Sequence, residues 1–310
     1  MTSELHVIFG TGQIGSRIAQ RLLERGARVR VVSRTPKAPA GAEVAAGDAR
    51  DLAFTAEAAK GATVVYDTTN PLYQHWQRDL LALGRGPLHA AVVNRAKLVA
   101  LDSLYMYGAP TAAMSETTPV APVAKKGVLR AQLAELRLSA STGVAIVRAS
   151  DFFGTALPAS WFGDRFFQRA FAGKPVECLG DPDQPHSYTY ADDVAAALVQ
   201  LGSVDDTGVW HAPTLPAISS RALAAQLGRA LDLDLSMKRM SRALLRTLGV
   251  FMPFMRELPE LAYQWEAPFV IDDAKYRARF HAAPTPLADQ LATVAAWARR
   301  TYLASARKAA

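Results

Sequence analysis

A glycine-rich turn close to the first residue has the composition and spacing that suit a pyrophosphate. It reads Gly10-Thr11-Gly12-Gln13-Ile14-Gly15, the pattern G-x-G-x-x-G. In this pattern the first glycine permits a tight turn, the second lets the backbone approach the phosphates, and the third lets a helix pack closely on a strand. The start of that helix presents free N–H groups and a positive dipole end to an anion. We therefore expect these six residues to bind the pyrophosphate of a dinucleotide.

Short apolar and amphipathic segments surround this turn and predict the elements that position it. Residues 7–9 (Val-Ile-Phe) form an apolar run typical of a buried parallel strand, and residues 18–23 carry apolar side chains at helical spacing. Gly26 ends the helix, and residues 27–32 have the pattern of a second strand. The turn thus has the strand–helix context that dinucleotide binding requires. The alternative is a glycine turn that packs a strand against a helix and binds nothing.

The two residues after the second strand bear on which dinucleotide is bound. An NAD site usually has an acidic residue about 20 residues after the glycine turn, where it binds the ribose 2′-hydroxyl. This chain has Ser33 and Arg34 there. Neither would repel a 2′-phosphate, and a guanidinium can bind one. We therefore expect NADP as the cofactor, with NAD as the second choice; an Arg34 that only faces solvent is the alternative.

Composition restricts the class of protein. The 310 residues are 50 % hydrophobic and 20 % charged, with a mean hydropathy of +0.04, which suits a globular protein with a large core. Because Cys178 is the single cysteine, we expect a cytoplasmic protein. Because the first strand begins at once, we expect no leader peptide. We also expect no membrane partner. The net charge is +7, but the basic residues are scattered. We interpret them as solvated helix faces and expect no nucleic-acid partner.

The first half of the chain alternates strand and helix patterns. Such alternation predicts an α/β fold, a doubly wound parallel (Rossmann) sheet with right-handed crossovers. We expect residues 1–150 to form a dinucleotide-binding domain. Further strands are predicted at 43–46, 62–66, 97–102 and 144–148, with helices at 52–60, at 74–95 (broken near Gly84-Arg85-Gly86-Pro87) and at 125–141.

The second half is less regular and richer in helix. We interpret residues 151–310 as a smaller, helix-rich C-terminal substrate lobe, of which about 188–212 returns to the main sheet. The patterns predict helices at 161–171, 192–201, 220–231, 242–251 and 286–303, and strands at 176–179 and 209–211.

Five motifs in order resemble the extended (atypical) short-chain dehydrogenase/reductase superfamily, the group that contains NAD-dependent epimerases and dehydratases. The resemblance spans nearly the whole chain and implies the same doubly wound fold. The motifs are the glycine turn, Gly47-Asp48, Ser103-Leu104-Tyr105-Met106-Tyr107-Gly108, Arg148-Ala149-Ser150-Asp151-Phe152-Phe153-Gly154, and Tyr188-Thr189-Tyr190-Ala191-Asp192-Asp193-Val194-Ala195.

The resemblance also implies roles for single residues. Asp48 would contact the adenine, and Ser103 would hydrogen-bond the reacting oxygen of the substrate. Thr68, Thr69 and Asn70 would line the cofactor. The alternative for Ser103 is a residue that ends a strand by bonding to nearby backbone.

The chain departs from the superfamily where a proton is transferred. Superfamily members carry Tyr-x-x-x-Lys at the start of the next helix, whereas this chain has Lys126 at the Tyr position and Arg130 at the Lys position. Arg130 could still hold the nicotinamide ribose. The proton could be transferred by Lys126 or by Tyr105, which lies two residues after Ser103. Two exposed cations at a helix start are the alternative.

A second departure concerns the substrate. Sugar-nucleotide epimerases usually carry an arginine that clamps the diphosphate, where this chain has His186. The clamp would lose its permanent bidentate cation, which makes a sugar nucleotide a less favoured substrate. Phe152 and Phe153 belong to an aromatic stretch that suits either an apolar substrate or a core.

Together these features favour an NAD(P)-dependent oxidoreductase or epimerase-like enzyme. Its small-molecule substrate would be a carbonyl compound, an alcohol or an activated double bond, and no metal is expected. The alternative from another class is a non-catalytic NADP-binding redox sensor or regulator, which the missing tyrosine would permit. The resemblance also implies a homodimer.

Overall fold

The computed structural model describes residues 4–35, 38–240, 245, 247, 249–250 and 253–309. Its strands are β1 (Leu5–Phe9), β2 (Arg28–Ser33), β3 (Glu43–Ala46), β4 (Ala62–Asp67), β5 (Lys97–Asp102), β6 (Val144–Arg148), β7 (Asp151–Phe153), β8 (Val176–Leu179), β9 (Pro185–His186), β10 (Tyr188–Tyr190), β11 (Gly208–His211), β12 (Ile218–Ser219) and β13 (Met237–Met240). Its helices are α1 (Gly15–Glu24), α2 (Leu52–Ala58), α3 (Trp76–Asn94), α4 (Lys125–Leu138), α5 (Asp164–Phe171), α6 (Ala191–Gly202) and α7 (Ser220–Leu231), followed by Pro253–Arg256, Ala274–Phe280 and Leu287–Ala309. Turns of 3₁₀ helix cover Tyr73–His75, Tyr105–Tyr107 and Pro259–Trp265.

Seven strands form one parallel sheet. Their order is β11-β6-β5-β4-β1-β2-β3, and every neighbouring pair runs parallel. Parallel neighbours cannot be joined by tight hairpins, so longer connections, mostly helical, link them. The predicted α/β fold with a doubly wound parallel sheet is confirmed.

The strand order reverses between β1 and β4. The chain runs outward from β1 through β2 and β3, then returns to β4 on the other side of β1 and continues outward through β5 and β6. The loops that follow β1 and β4 therefore lead to opposite sides and leave a crevice at the carboxyl ends of the strands. The glycine turn follows β1, and residues 68–70 follow β4.

The central strands are buried on both faces. All five residues of β1 and of β6 are buried. Val7 and Phe9 pack in one cluster with Leu98 and Ile146, whereas Ile8, which points to the opposite face, is also buried. Burial on both faces explains why these strands are near-continuous apolar runs rather than alternating patterns.

Helix α3 is continuous, so the predicted break near Gly84-Arg85-Gly86-Pro87 is wrong. The glycines permit close packing instead: a Cβ on Gly84 would lie 2.4 Å from Leu133 Cδ1, and one on Gly86 would lie 1.7 Å from the Ala49 carbonyl oxygen. Helix α3 therefore packs closely against α4 at Gly84 and against the loop before α2 at Gly86. These are the glycines from which a break is predicted. Packing of this kind outweighs the cost of Pro87 inside the helix.

The chain divides into two compact units. The first consists of residues 1–108, 119–149 and 194–212, and the second of residues 109–118, 150–193 and 213–310. The seven-stranded sheet belongs to the first unit, whereas the second has a separate core in which α5 and α7 pack against the last helix. In the second unit the predicted helix 161–171 begins only at Asp164. The predicted helix 242–251 lies mostly outside the described residues.

Gly86→Ala should destabilise the first unit, because the new methyl group would meet the backbone of Ala49, which cannot move as a side-chain tip can. We expect the free energy of unfolding to fall by about 1–3 kcal/mol in urea denaturation followed by circular dichroism. Gly143→Ala is the matched control, because its Cβ would meet only side-chain atoms, at 3.6 and 3.8 Å. Equal stabilities of the two variants would contradict the close packing of α3.

Candidate functional site

Contacts that only glycine allows hold the glycine turn against the loop after β4. Gly10 has a φ of +92°, in the left-handed region that other residues rarely adopt. The Thr68 hydroxyl donates to the carbonyl oxygens of Phe9 and Gly10, at 3.0 Å each. A Cβ on Gly15 would lie 1.9 Å from the Gly10 carbonyl oxygen. The first and third glycines therefore determine the shape of the turn, and the hydrogen bonds from Thr68 hold it in place.

Open space lies beside the middle of the turn. Apart from Gly12 itself and its two chain neighbours, no described residue has an atom within 4 Å of the position that a Cβ on Gly12 would occupy. Helix α1 begins after Ile14 without a side-chain cap, and its first turn has no acidic residue. The carbonyl oxygens of Thr11 and Gln13 accept side-chain hydrogen bonds from α1, which keep the turn in place. A helix N-terminus with uncapped N–H groups beside open space fits a pyrophosphate.

The end of β2 lies beside the glycine turn. The Thr11 hydroxyl donates to Ser33 Oγ at 3.2 Å, and Arg34 follows with an exposed side chain. In the loop after β3, Asp48 accepts hydrogen bonds from Arg50 at 3.0 and 2.5 Å. This guanidinium lowers the pKa of Asp48 to about 2, and the charge of Arg34 acts in the same direction. Asp48 is thus ionised, but Arg50 offsets its charge.

Asp67 ends β4 and organises the loop that follows. It is buried and forms an ion pair with Arg137 of α4. Its Oδ1 accepts hydrogen bonds from the Thr69 backbone N–H at 2.9 Å and from the Thr69 hydroxyl at 2.7 Å. Thr69 therefore turns its hydroxyl back toward the sheet, whereas Asn70 is exposed and accepts a hydrogen bond from Arg130 at 2.8 Å.

Asp102 ends β5 and pairs with a second arginine of α4. Arg130 Nη1 lies 3.3 Å from Asp102 Oδ1, and the two side chains are 7 % and 0 % exposed. The Arg130 guanidinium also lies over the Trp76 ring, 4.4 Å from its centroid. The carboxylate, the ring and Asn70 together fix its orientation. Arg130 Nε and Asp102 Oδ2 are buried, and neither has a hydrogen-bond partner among the described residues.

Ser103 follows this ion pair directly. Its backbone N–H donates to Asp102 Oδ1 at 2.8 Å. Its hydroxyl is buried and has no hydrogen-bond partner in the described part of the chain, so it makes no bond to nearby backbone. A buried hydroxyl without a partner costs free energy that a bound ligand can recover.

Tyr105 and Lys126 both lie next to Tyr73. Tyr105 Oη lies 2.6 Å from the Oη of Tyr73. Lys126 is only 3 % exposed, and its Nζ lies 5.4 Å from the centroid of the Tyr73 ring. Because Arg130 is buried as well, the two are not exposed cations at a helix start.

The sequence patterns do not identify Asp67, Asp102, Arg137 or Tyr73 as members of this site. A signal exists for the first three: both apolar strand runs end in aspartate, and Arg130 and Arg137 are seven residues apart, on one face of a helix. Tyr73 carries no such signal, because nothing in the sequence shows that the loops after β4 and β5 meet.

In the second unit, His186 is buried among aromatic rings and uses both ring nitrogens. Nε2 lies 2.7 Å from Asp151 Oδ2, and Nδ1 lies 3.1 Å from the Gln264 carbonyl oxygen. The ring stacks on Trp265 and Phe269. Both ring nitrogens therefore face an oxygen acceptor of this chain, and both edges of the ring are occupied within the second unit.

The two phenylalanines predicted near the substrate differ in burial. Phe153 is 1 % exposed and packs edge to face on Phe162 in the core of the second unit. Phe152, its neighbour in β7, is half-buried. Phe152 therefore retains surface that a ligand could contact, whereas Phe153 belongs to the core.

Two kinds of feature are not found in the part of the chain that the structure describes. No group of three or more His, Cys, Asp or Glu side chains there could hold a metal ion. No helix there combines the length and the apolar character needed to cross a lipid bilayer.

Comparison with known proteins bears on both the fold and the family. The profile of the NAD dependent epimerase/dehydratase family matches residues 7–209. No curated protein matches the chain in sequence. Among similar solved structures, MoeE5 in complex with UDP-glucose and NAD is 22 % identical with a TM-score of 0.78, and the match covers 96 % of this chain and 99 % of that chain. UDP-glucuronic acid 4-epimerase from Bacillus cereus, in complex with UDP-glucuronic acid and NAD, is 17 % identical with a TM-score of 0.77, and the match covers 96 % of this chain and 100 % of that chain. TunA, an NAD dependent NDP-hexosamine 5,6-dehydratase, is 17 % identical with a TM-score of 0.78, and the match covers 97 % of this chain and 100 % of that chain.

The structural likeness, at these low identities, establishes the fold. The family profile covers well over half of the chain, from β1 through β11, and includes the glycine turn, Ser103, Lys126 and Arg130. The resemblance inferred from the five motifs is therefore confirmed. The chain belongs to the NAD dependent epimerase/dehydratase family.

Proposed function

We propose that the protein is an oxidoreductase that acts with a nicotinamide cofactor on a small carbonyl compound, an alcohol or an activated double bond. The observation that carries this proposal is the buried Ser103 hydroxyl, which has no hydrogen-bond partner among the residues that the structure describes. It follows the Asp102–Arg130 pair at the carboxyl end of β5, the edge of the sheet from which the glycine turn also leaves β1. A substrate oxygen would satisfy this hydroxyl. An epimerase-like reaction, in which one carbon is oxidised and reduced again, is the nearest variant.

Each group of residues has a separate task in this proposal. A bound nicotinamide supplies or accepts the hydride. The glycine turn and the start of α1 bind the pyrophosphate. Arg130 bonds the nicotinamide ribose through Nε, for which no described residue is a hydrogen-bond partner. Ser103 donates to the substrate oxygen and polarises it. Tyr105 or Lys126 transfers the proton.

We also propose that NADP(H) is preferred over NAD(H). Ser33 and the exposed Arg34 end β2 beside the glycine turn, where an NAD site would usually present a carboxylate. Asp48, the nearby acidic residue, is paired with Arg50 and so offers little repulsion to a phosphate. The solved relatives named above contain or use NAD, so the preference rests on these residues of this chain alone.

The substrate we propose carries no diphosphate. MoeE5 binds UDP-glucose, whose diphosphate would need a cation. In this chain the corresponding motif position is His186, whose two ring nitrogens already bind Asp151 and the Gln264 carbonyl oxygen. A small substrate with few charges suits such a position better than a nucleotide sugar.

One observation favours a second candidate, a redox sensor that binds NADP(H) without turnover. Lys126 occupies the helix position at which a tyrosine usually transfers the proton, so hydride transfer would be slow if no other group replaced the phenol. The sensor would still use the glycine turn and Arg34 to bind the nucleotide. Turnover that depends on Ser103 would exclude it.

Ser103→Ala should reduce kcat and leave cofactor binding unchanged, because the hydroxyl acts only on the substrate oxygen. We expect a fall of about 10²- to 10³-fold, as for the loss of one donor to a developing oxyanion. The assay follows nicotinamide absorbance over a panel of carbonyl compounds and enones, with calorimetry for the cofactor. Ser139→Ala is the control, since its hydroxyl bonds only to the Leu136 carbonyl at the end of α4. Unchanged kcat in Ser103→Ala would refute the assigned role.

Arg34→Ala should remove most of the preference for NADP(H). A partly exposed phosphate–guanidinium contact contributes about 1–3 kcal/mol, or about 5- to 150-fold in affinity. Calorimetry at low salt should show that loss for NADP(H) and no change for NAD(H), and added salt should narrow the gap in the native protein. Arg25→Ala controls for the removal of a surface charge on the first unit. An Arg34→Ala protein that keeps its preference would place the 2′-phosphate elsewhere.

A further inference from the structure

Two phenols from the loops that follow β4 and β5 are hydrogen-bonded to each other. Tyr73 belongs to the 3₁₀ turn that follows β4, and Tyr105 belongs to the 3₁₀ turn that follows β5. Their hydroxyl oxygens are 2.6 Å apart, and both side chains are half-buried. The Trp76 ring packs on both, edge to face on Tyr73 at 5.1 Å and tilted on Tyr105 at 6.0 Å. The two hydroxyls are therefore held together by packing as well as by their hydrogen bond.

Close packing of α4 brings a cation to this pair. Lys126 Nζ lies 5.4 Å from the centroid of the Tyr73 ring, and the side chain is buried. Gly127 allows the approach, since a Cβ there would lie 2.4 Å from the Tyr105 carbonyl oxygen. At the position on α4 where the tyrosine is missing, Lys126 thus brings an ammonium group to a pair of phenols from two other elements.

When two phenols are hydrogen-bonded to each other, one of their two hydroxyl hydrogens is not used in that bond. Each phenol has a single hydrogen to donate, so only one of the two can donate in the bond between them. If Tyr73 donates, Tyr105 keeps its own hydrogen for an acceptor outside the pair. Tyr105 lies two residues after Ser103, whose buried hydroxyl has no partner within the residues that the structure describes. A substrate oxygen bonded to Ser103 is the acceptor nearest in the chain.

We propose that Tyr105 is the catalytic acid and that Tyr73 is its positioning residue, which donates to Tyr105 Oη and stabilises the phenolate that forms. This inference rests on the proposed oxidoreductase function. The two phenols and Lys126 together replace the tyrosine that is missing from α4. The bond from Tyr73 strengthens when Tyr105 loses its proton, because a hydrogen bond to an ionised acceptor is about twice as strong as a neutral one.

The step balances with the nicotinamide of the proposed function as hydride donor or acceptor and with solvent water as the proton source. In the reduction of a carbonyl group, the hydride forms the new C–H bond and the π electrons of the C=O bond move to the oxygen. That oxygen takes the proton from Tyr105, and the Tyr105 O–H electron pair stays on the phenolate. Water then restores the proton. In the oxidation of an alcohol, the phenolate removes the O–H proton as the hydride leaves.

A cation lies against the phenol pair from α4. Lys126 Nζ lies 5.4 Å from the centroid of the Tyr73 ring. Arg130 lies over the Trp76 ring, which packs on both phenols, and Asp102 offsets its charge. The positive charge of Lys126 stabilises a phenolate relative to a phenol.

Ultraviolet titration of tyrosinate tests this arrangement in the full chain, without cofactor or substrate. In the native protein we expect one tyrosine to ionise at lower pH than the others. This step should disappear in Tyr105→Phe, and in Tyr73→Phe and Lys126→Met it should move up by about one pH unit. Tyr302→Phe is the control, because that hydroxyl donates to Asp164 in the second unit and burial raises its pKa. The early step should be unchanged in this control.

Two outcomes would overturn the proposal. One is a native protein in which no tyrosine ionises early, and the other is an early step that persists in Tyr105→Phe or is unmoved in Tyr73→Phe. If Tyr105→Phe does not fold, the shifts in Tyr73→Phe and Lys126→Met decide the matter, and an unmoved step in both refutes it. Once a substrate is known, Tyr73→Phe should lower kcat about 10-fold, with KM unchanged and the pH profile displaced.

The titration is independent of the proposed function. A protein that shows the early tyrosine but neither binds nor turns over a nicotinamide would keep the phenol arrangement and lose the oxidoreductase assignment. A protein that turns over NADP(H) but has only ordinary tyrosines would keep the oxidoreductase assignment and lose Tyr105 and Tyr73 as its acid.

Discussion

Two buried ion pairs between α4 and the carboxyl ends of the sheet strands fix the geometry on which the site depends. Asp67 at the end of β4 binds Arg137, and Asp102 at the end of β5 binds Arg130. All four side chains are almost completely buried, and removal of one partner from such a pair typically costs about 3–5 kcal/mol. Helix α4 therefore cannot slide or rotate on the sheet without exposing or separating a charge.

The fixed position of α4 has consequences at both ends of the candidate site. It holds Arg130 between Asp102, Asn70 and the Trp76 ring, where a permanent cation can bind a ribose hydroxyl. One turn earlier it holds Lys126 beside Tyr73. Phenols from the turns after β4 and β5 thus lie next to the face of α4 that lacks the tyrosine. Their presence is compatible with acid–base chemistry.

The sequence predicts the parts of this structure that depend on local patterns. The glycine turn, its flanking strands and the parallel sheet follow from apolar runs and from the order of elements, and Ser103 and Arg130 follow from motif position. The predicted break in α3 fails because Gly84 and Gly86 mark close tertiary contacts, which a local pattern cannot distinguish from a loop. The sequence does not predict Tyr73 as a site residue for a related reason, because its role depends on two loops that meet only in the folded chain.

The most direct test of the central claim, that this chain is built around an NADP(H) site, is the identity of the nucleotide that copurifies with it. The native protein should be isolated at low salt, denatured, and the released small molecules identified by mass spectrometry. We expect NADP⁺ or NADPH, in amounts that fall sharply in Arg34→Ala prepared in parallel. A protein that carries NAD(H) alone, another nucleotide such as a flavin, or no nucleotide even after incubation with NADP(H), would contradict it.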